Sequence, residues 1–303
     1  MTQRVGFIGV GNMGTPMALN LVRAGYDVLA YDVVPRGVEQ VVKAGGRAAA
    51  SLAQVASESE LVISMLPSPT EVEQVVYGPD GLLDQLRPGQ TLIDMSTIDP
   101  AVTRKVAADL ESRGVGMLDA PVSGSTEGAS AGTLTIMVGG QAELLERFRP
   151  VLAAMGKKIV HTGDIGSGET VKLCNNLIAG ISMVAIAEAY ALAERAGVDP
   201  RILFDVVRSS TGQGAVHDSR PLHPGLGPDA PVDHDFEPGF MVDLIYKDLG
   251  LAIAAGRRYG VPLQMVATAQ QMFGAASALG YGRKDLSAVK FAVAAMSAPP
   301  PPG

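Results

Sequence analysis

Over the first 163 residues, short apolar runs recur and are separated by stretches in which apolar positions return every third or fourth residue. Runs of four or five apolar residues bounded by turn signals predict buried strands, and the intervening stretches predict amphipathic helices. Strands are expected over residues 4–8, 27–31, 61–65, 91–94, 115–119, 134–138 and 157–161, with helices over 13–23, 71–76, 101–112 and 143–153. Strand and helix alternating at this spacing indicate an α/β domain over residues 1–163 with a doubly wound, mostly parallel sheet. A ligand of such a sheet binds beyond the C-terminal ends of its strands.

After residue 163 the pattern changes. Residues 169–196, ETVKLCNNLIAGISMVAIAEAYALAERA, predict one long helix, apolar around most of its circumference. Gly197 stops it, and Asp199-Pro200 supplies a cap and first turn for the next helix. A helix apolar all round is expected to be buried on all sides. Its small residues (Ala179, Gly180, Ser182, Ala185) permit neighbouring helices to approach closely. Further helices are expected over 200–209, 240–259, 263–279 and 285–295, with no strand pattern. The second domain, residues 164–296, is therefore expected to be all-α. The stretch 210–240, rich in Gly, Pro, His and Asp, is the candidate mobile loop or lid. Residues 297–303 form a proline-rich tail that is expected to be disordered. The longest strongly apolar run, residues 177–187, is shorter than a bilayer span requires, so no membrane partner is expected.

Composition narrows the function. A chain of 303 residues fits two domains of roughly 150 each. A net charge of -7 argues against nucleic acid as a partner. An anionic substrate must then meet locally placed cations, since the overall field does not attract it. A single cysteine excludes an internal disulfide and fits a reducing cytoplasm. The first strand begins after a few residues, so no signal peptide is expected.

The sharpest chemical signal is VGFIGVGNMGTPMALNLVRAGYDVLAYD, residues 5–32. A strand runs into Gly9-Val10-Gly11-Asn12-Met13-Gly14, a helix follows, and a second strand ends on Asp32. Gly9 permits the tight turn, Gly11 lets the backbone approach a pyrophosphate, and Gly14 lets helix pack on strand. The phosphates sit on free amides at the positive end of the helix dipole. Asp32, 18 residues beyond Gly14, is placed to accept hydrogen bonds from a ribose diol. Its carboxylate repels a 2′-phosphate and so favours NAD over NADP, although nearby Arg36 softens that preference.

Other candidates lie further along. The turn Asp119-Ala120-Pro121-Val122-Ser123-Gly124-Ser125 presents a hydroxyl and backbone amides that suit a carboxylate. An ordinary serine-capped turn is the plainer alternative. Lys172 and Asn176, four apart, share one helix face amid Val171, Leu173, Cys174 and Leu177. A lysine desolvated there would move from ~10.4 towards the ~7–8 that a general base needs. Lys247 could supply a second cation, although Lys247-Asp248 in isolation reads as a solvated pair. The four histidines lack metal-ligand spacing, and a Ser-His-Asp hydrolase is disfavoured because the glycine loop is better explained by a dinucleotide.

These segments together resemble the β-hydroxyacid dehydrogenases, and most of all their 3-hydroxyisobutyrate branch. The likeness runs over residues 4–292 through GFIGVGNMGTPMALNL, MLPSPTEVEQVVYGPDGLL, DMST, DAPVSGSTEGASAGTLTIMVGG, GSGETVKLCNNL and YKDLGLA. It implies an N-terminal Rossmann domain and an all-α C-terminal domain built around one long helix, with Lys172 as catalytic acid/base, Asn176 touching substrate, and Ser123 and Gly124 holding its carboxylate. Lys247 would lie by substrate and nicotinamide. Leu66, Pro67, Glu71 and Thr97, together with Asn12 and Met13 of the glycine loop, would touch the cofactor. The implied reaction is reversible NAD-dependent oxidation of a small anionic 3-hydroxy acid to its semialdehyde. Separately, the apolar long helix suggests that the second domain buries surface against another subunit, so a homodimer or homotetramer is expected. Alternatives are reduction of tartronate or succinic semialdehyde on the same scaffold, an imine reductase (against which Lys172 speaks), or a non-catalytic NAD-binding scaffold. Two departures bear on the substrate. Ser125 stands where most relatives have a second glycine, and residues 210–215 carry no tryptophan.

Overall fold

The structure, a computed structural model, describes residues 3–297. Of the tail expected over 297–303, all but Ser297 lies outside the described residues. The chain divides into two compact units, Met1–Lys172 and Leu173–Gly303.

The first unit is built on a nine-stranded sheet. Its strands are β1 (Arg4–Ile8), β2 (Asp27–Tyr31), β3 (Arg47–Ala48), β4 (Leu61–Ser64), β5 (Thr91–Asp94), β6 (Gly116–Asp119), β7 (Val122–Ser123), β8 (Leu134–Gly139) and β9 (Gly156–Gly163). The order β3-β2-β1-β4-β5-β6 is parallel throughout and is the dinucleotide-binding order, with the crevice where β1 and β4 diverge. Beyond β6 the sheet changes direction: β8 runs antiparallel to β6 and β7 and parallel to β9. Successive side chains point to opposite faces. Leu61 and Ile63 accordingly join one core cluster with Val5 and Phe7, while Val62 joins the other with Ile8 and Leu92. The helices of this unit are α1 (Gly14–Arg23), α2 (Pro35–Lys43), α3 (Leu52–Glu58), α4 (Pro69–Tyr77), α5 (Leu82–Gln85), α6 (Pro100–Glu111), α7 (Ser125–Ala131) and α8 (Ala142–Ala153). All seven expected strands are present. The two that sequence periodicity misses, β3 and β7, have two residues each, too few to show a period.

Helix α9 (Ser167–Arg195) spans the division between the units. It ends as expected: Gly197 takes φ +77°, and the Val198 amide donates to the Ala193 carbonyl at 2.9 Å. The Asp199 side chain then accepts from the Arg201 amide at 2.8 Å to start α10 (Pro200–Arg208). After α10 come α11 (Ala215–Ser219), α12 (Val242–Tyr259), α13 (Gln264–Ala276) and α14 (Val289–Met296). Among the described residues of this unit, pairing of the strand type is limited to one bridge, Met241 with Asp285.

Three expectations are corrected here. Helix α9 is not buried on all sides. Leu173, Met183, Val184, Ala187 and Tyr190 enter the helical core, but Ile178 is 63% exposed and Leu192 72%. The helix also has the length and apolarity of a bilayer span, with a mean hydropathy of 1.6 over its best 18 residues. The shorter run counted from sequence stopped at polar residues that a 29-residue helix simply includes. The stretch 210–240 is likewise more than loop. It carries α11 and a short 3-10 turn (Pro231–His234), and it buries His217, Leu222, Ala230 and Phe236.

Candidate functional site

The glycine loop between β1 and α1 has the shape that its sequence predicts. Gly9 takes φ +88°, and a Cβ there would lie 2.3 Å from the Met65 carbonyl oxygen. A Cβ on Gly14 would meet the Gly9 carbonyl oxygen at 1.9 Å, so only glycine admits α1 this close to the strand. Gly37 at the start of α2 has the same role against the Val10 carbonyl, at 1.8 Å. Gly11 differs: a Cβ there meets nothing within 4 Å. The fold itself does not require that glycine, and the space in front of it is open to a group lying against the loop. Helix α1 opens on Met13 without a side-chain cap and without an acid in its first turn. Gly11 and Asn12 are exposed. An uncapped helix start with open space above it suits a pyrophosphate.

Asp32 closes β2. Its carboxylate accepts from the Val10 amide at 2.7 Å and the Val34 amide at 2.8 Å. It therefore ties the glycine loop to the loop after β2, and lone pairs remain for a ribose hydroxyl.

The loops after β4 and β5 are joined beneath the surface. The Leu66 amide donates to Ser96 Oγ at 2.9 Å, and Ser96 Oγ in turn donates to Asp94 Oδ1 at 2.5 Å. Ser64 Oγ reaches the same oxygen at 2.9 Å. Burial raises the pKa of Asp94, hydrogen bonds from Ser96 and Ser64 oppose that rise, and nearby Asp119 adds to it. Pro67 is exposed and Thr97 half-buried, each on one of these loops. Glu71 accepts a hydrogen bond from Ser68, the residue that caps α4, and so acts within the first turn of that helix.

In the turn after β6, Ser123 pairs with Thr135 across β7 and β8. Gly124 takes φ +142°, and Ser125 is held at φ +54°. Lys172, on α9, is only 8% exposed, so the solvated surface lysine is excluded for this position. In the second unit, Asn176 is 3% exposed and donates from Nδ2 to Asp248 Oδ2 at 2.6 Å. Lys247 Nζ lies 3.2 Å from Asp248 Oδ1. Asp248, itself 3% exposed, thus brings Asn176 and Lys247 together, which corrects the picture of a solvated Lys-Asp pair. Sequence reasoning missed Asp248 and Ser96 as organisers. Adjacency to Lys247 was the only hint for the first, and the second sits within the DMST motif without a pattern of its own.

Residues 4–163 match the NAD binding domain of 6-phosphogluconate dehydrogenase. Residues 166–292 match the NAD-binding domain of NADP-dependent 3-hydroxyisobutyrate dehydrogenase. A 3-hydroxyisobutyrate dehydrogenase of Pseudomonas aeruginosa is 44% identical over 89% of this chain and 90% of its own length. An NAD-dependent L-serine dehydrogenase of the same organism is 41% identical over 95% and 97%. A 2-(hydroxymethyl)glutarate dehydrogenase of Eubacterium barkeri is 41% identical over 94% and 93%. The solved structure of Mycobacterium tuberculosis 3-hydroxyisobutyrate dehydrogenase with L-serine superposes with a TM-score of 0.90 at 38% identity, covering 97% of this chain and 99% of that one. Both halves are matched in order, over residues 4–163 and 166–292, and the chain belongs to the β-hydroxyacid dehydrogenase family.

Proposed function

We propose that this protein catalyses the reversible, NAD-dependent oxidation of the primary alcohol of a small 3-hydroxy acid to its semialdehyde. The names of the three relatives support a narrower substrate class. 3-Hydroxyisobutyrate, serine and 2-(hydroxymethyl)glutarate each contain a hydroxymethyl group on the carbon that bears a carboxylate, and differ only in the third substituent. The common unit is a 2-substituted 3-hydroxypropanoate, and we take it as the recognised core. The third substituent then distinguishes 3-hydroxyisobutyrate, the leading candidate, from the others.

The burial of Lys172 carries the assignment of roles. Withdrawing an amine from water disfavours its charged form and leaves more of it as the neutral base that alcohol oxidation needs. Lys172 removes the hydroxyl proton in oxidation and returns it in reduction. Ser123 and the Gly124 backbone orient the carboxylate, and Asn176, fixed by Asp248, holds the substrate by its amide. Lys247, paired with Asp248, borders the same ligands. The cofactor, when bound, supplies the hydride acceptor. Gly11 leaves room for its pyrophosphate, Gly9 and Gly14 set the turn and helix start beneath it, and Asp32 favours an unphosphorylated ribose.

Lys172→Met should lower kcat by at least ~100-fold with NAD binding retained. Near-normal turnover in that variant would remove Lys172 from the role. A panel of 3-hydroxyisobutyrate, L-serine, 2-(hydroxymethyl)glutarate, glycerate and 4-hydroxybutyrate, assayed with NAD and with NADP, tests the substrate class. Only the last lacks the common unit, and preference for it would overturn the class.

A further inference from the structure

We infer that Asp119 is a positioning residue for Lys172, acting through the first turn of α9. Asp119 ends β6 and is fully buried. Its Oδ1 accepts from the Gly166 amide at 2.7 Å and its Oδ2 from the Glu169 amide at 2.9 Å. One carboxylate therefore satisfies two backbone donors at the start of the helix, where its charge also complements the dipole.

The surrounding backbone is cut to admit that carboxylate. A Cβ on Gly139 would lie 2.4 Å from Asp119 Oδ1, and one on Gly168 2.8 Å from Asp119 Oδ2 and 2.4 Å from the Met137 carbonyl oxygen. Gly166 takes φ +82° to turn its amide inward. These contacts give the G-S-G-E segment ahead of Lys172 a purpose that neither cofactor nor substrate accounts for. A second tie comes from the same turn: Glu169, also fully buried, accepts from the Ile98 amide at 3.2 Å. The start of α9 is thus fastened to the end of β6 and to the loop after β5. Lys172 lies three residues, just under one turn, beyond Glu169. Any slack in that turn moves the base of the lysine side chain, and a displacement of about 1 Å can cost about 100-fold in rate.

This inference rests on Lys172 as the proton-transfer group. The test is Asp119→Asn, which keeps size and one acceptor but sets an amide donor against one of the two backbone donors. We expect kcat to fall by about 10- to 100-fold, with KM for NAD within about twofold of the parent, since the glycine loop is untouched. In a Lys172→Met background the same change should have little further effect on the residual rate, because two residues acting through one step are non-additive. A kcat for Asp119→Asn within about twofold of the parent, or full additivity with Lys172→Met, would overturn the inference. So would a matching rise in KM for NAD, which would mark general loosening. A fully active Lys172→Met enzyme would instead dispose of the underlying assignment. Should Asp119→Asn fail to fold, Glu169→Gln tests the same turn from its other tie, with the same two readouts.

Discussion

Asp94 illustrates how a buried acid records itself in stability. It is fully enclosed, and burial lifts its pKa above the ordinary carboxylate value. In the unfolded chain it titrates at the ordinary value. Between there and the raised value the folded state binds more protons than the unfolded one. Stability therefore falls as pH rises through that interval and stays lower above it. Asp94→Asn removes the titration and keeps an acceptor for Ser64 and Ser96. Its melting temperature should gain on the parent's as pH goes from about 4 to about 8. A difference between the two melting curves that does not vary with pH would refute this. Individual residues were unevenly legible in the sequence. Gly9, Gly14 and Asp32 stand in a pattern whose spacing states its purpose. Asp119 and Asp248 do not, because their importance comes from burial against segments distant in sequence: Gly166 lies 47 residues from Asp119, and Asn176 lies 72 from Asp248.

At the scale of elements, the strand-turn-helix of the cofactor loop separates glycines that serve the fold from one that serves a ligand. Gly14→Ala drives a methyl into the Gly9 carbonyl and should lower the melting temperature by several degrees. Gly11→Ala meets no protein atom and should leave the melting temperature unchanged while raising KM for NAD by about tenfold or more. Equal stability loss in both would sink the distinction. Element existence was read correctly wherever apolar periodicity ran for several residues, as in β1, β4 and α9. It failed at the two-residue β3 and β7, at the short helices α3, α5 and α11, and at α2, where Pro35 and Gly37 mask a helical pattern. For α9 the sequence told length and apolarity, but apolarity alone does not say which neighbour covers a face.

For the whole molecule, that uncovered face is the main consequence. Ile178 and Leu192 on α9 and Met265 on α13 are all more than 60% exposed, which is costly for side chains of this size. We expect a homodimer or homotetramer that shelters them. Sedimentation should give a mass at least twice the 31.3 kDa of one chain. Ile178→Glu with Leu192→Glu should shift it towards the monomer, since a charge is strongly disfavoured in a dry interface. A wild-type protein that sediments as a monomer at micromolar concentration would rule out this arrangement.

The two amides gripped by Asp32 set a limit on redesign. The obvious way to make such an enzyme accept NADP is to delete the acid and add a cation. Here deletion would also release the Val10 amide and slacken the loop on which either dinucleotide must rest. Asp32→Ala should therefore weaken both coenzymes, whereas a successful exchange would retain a short acceptor, such as serine, and place the new positive charge further along, near Arg36.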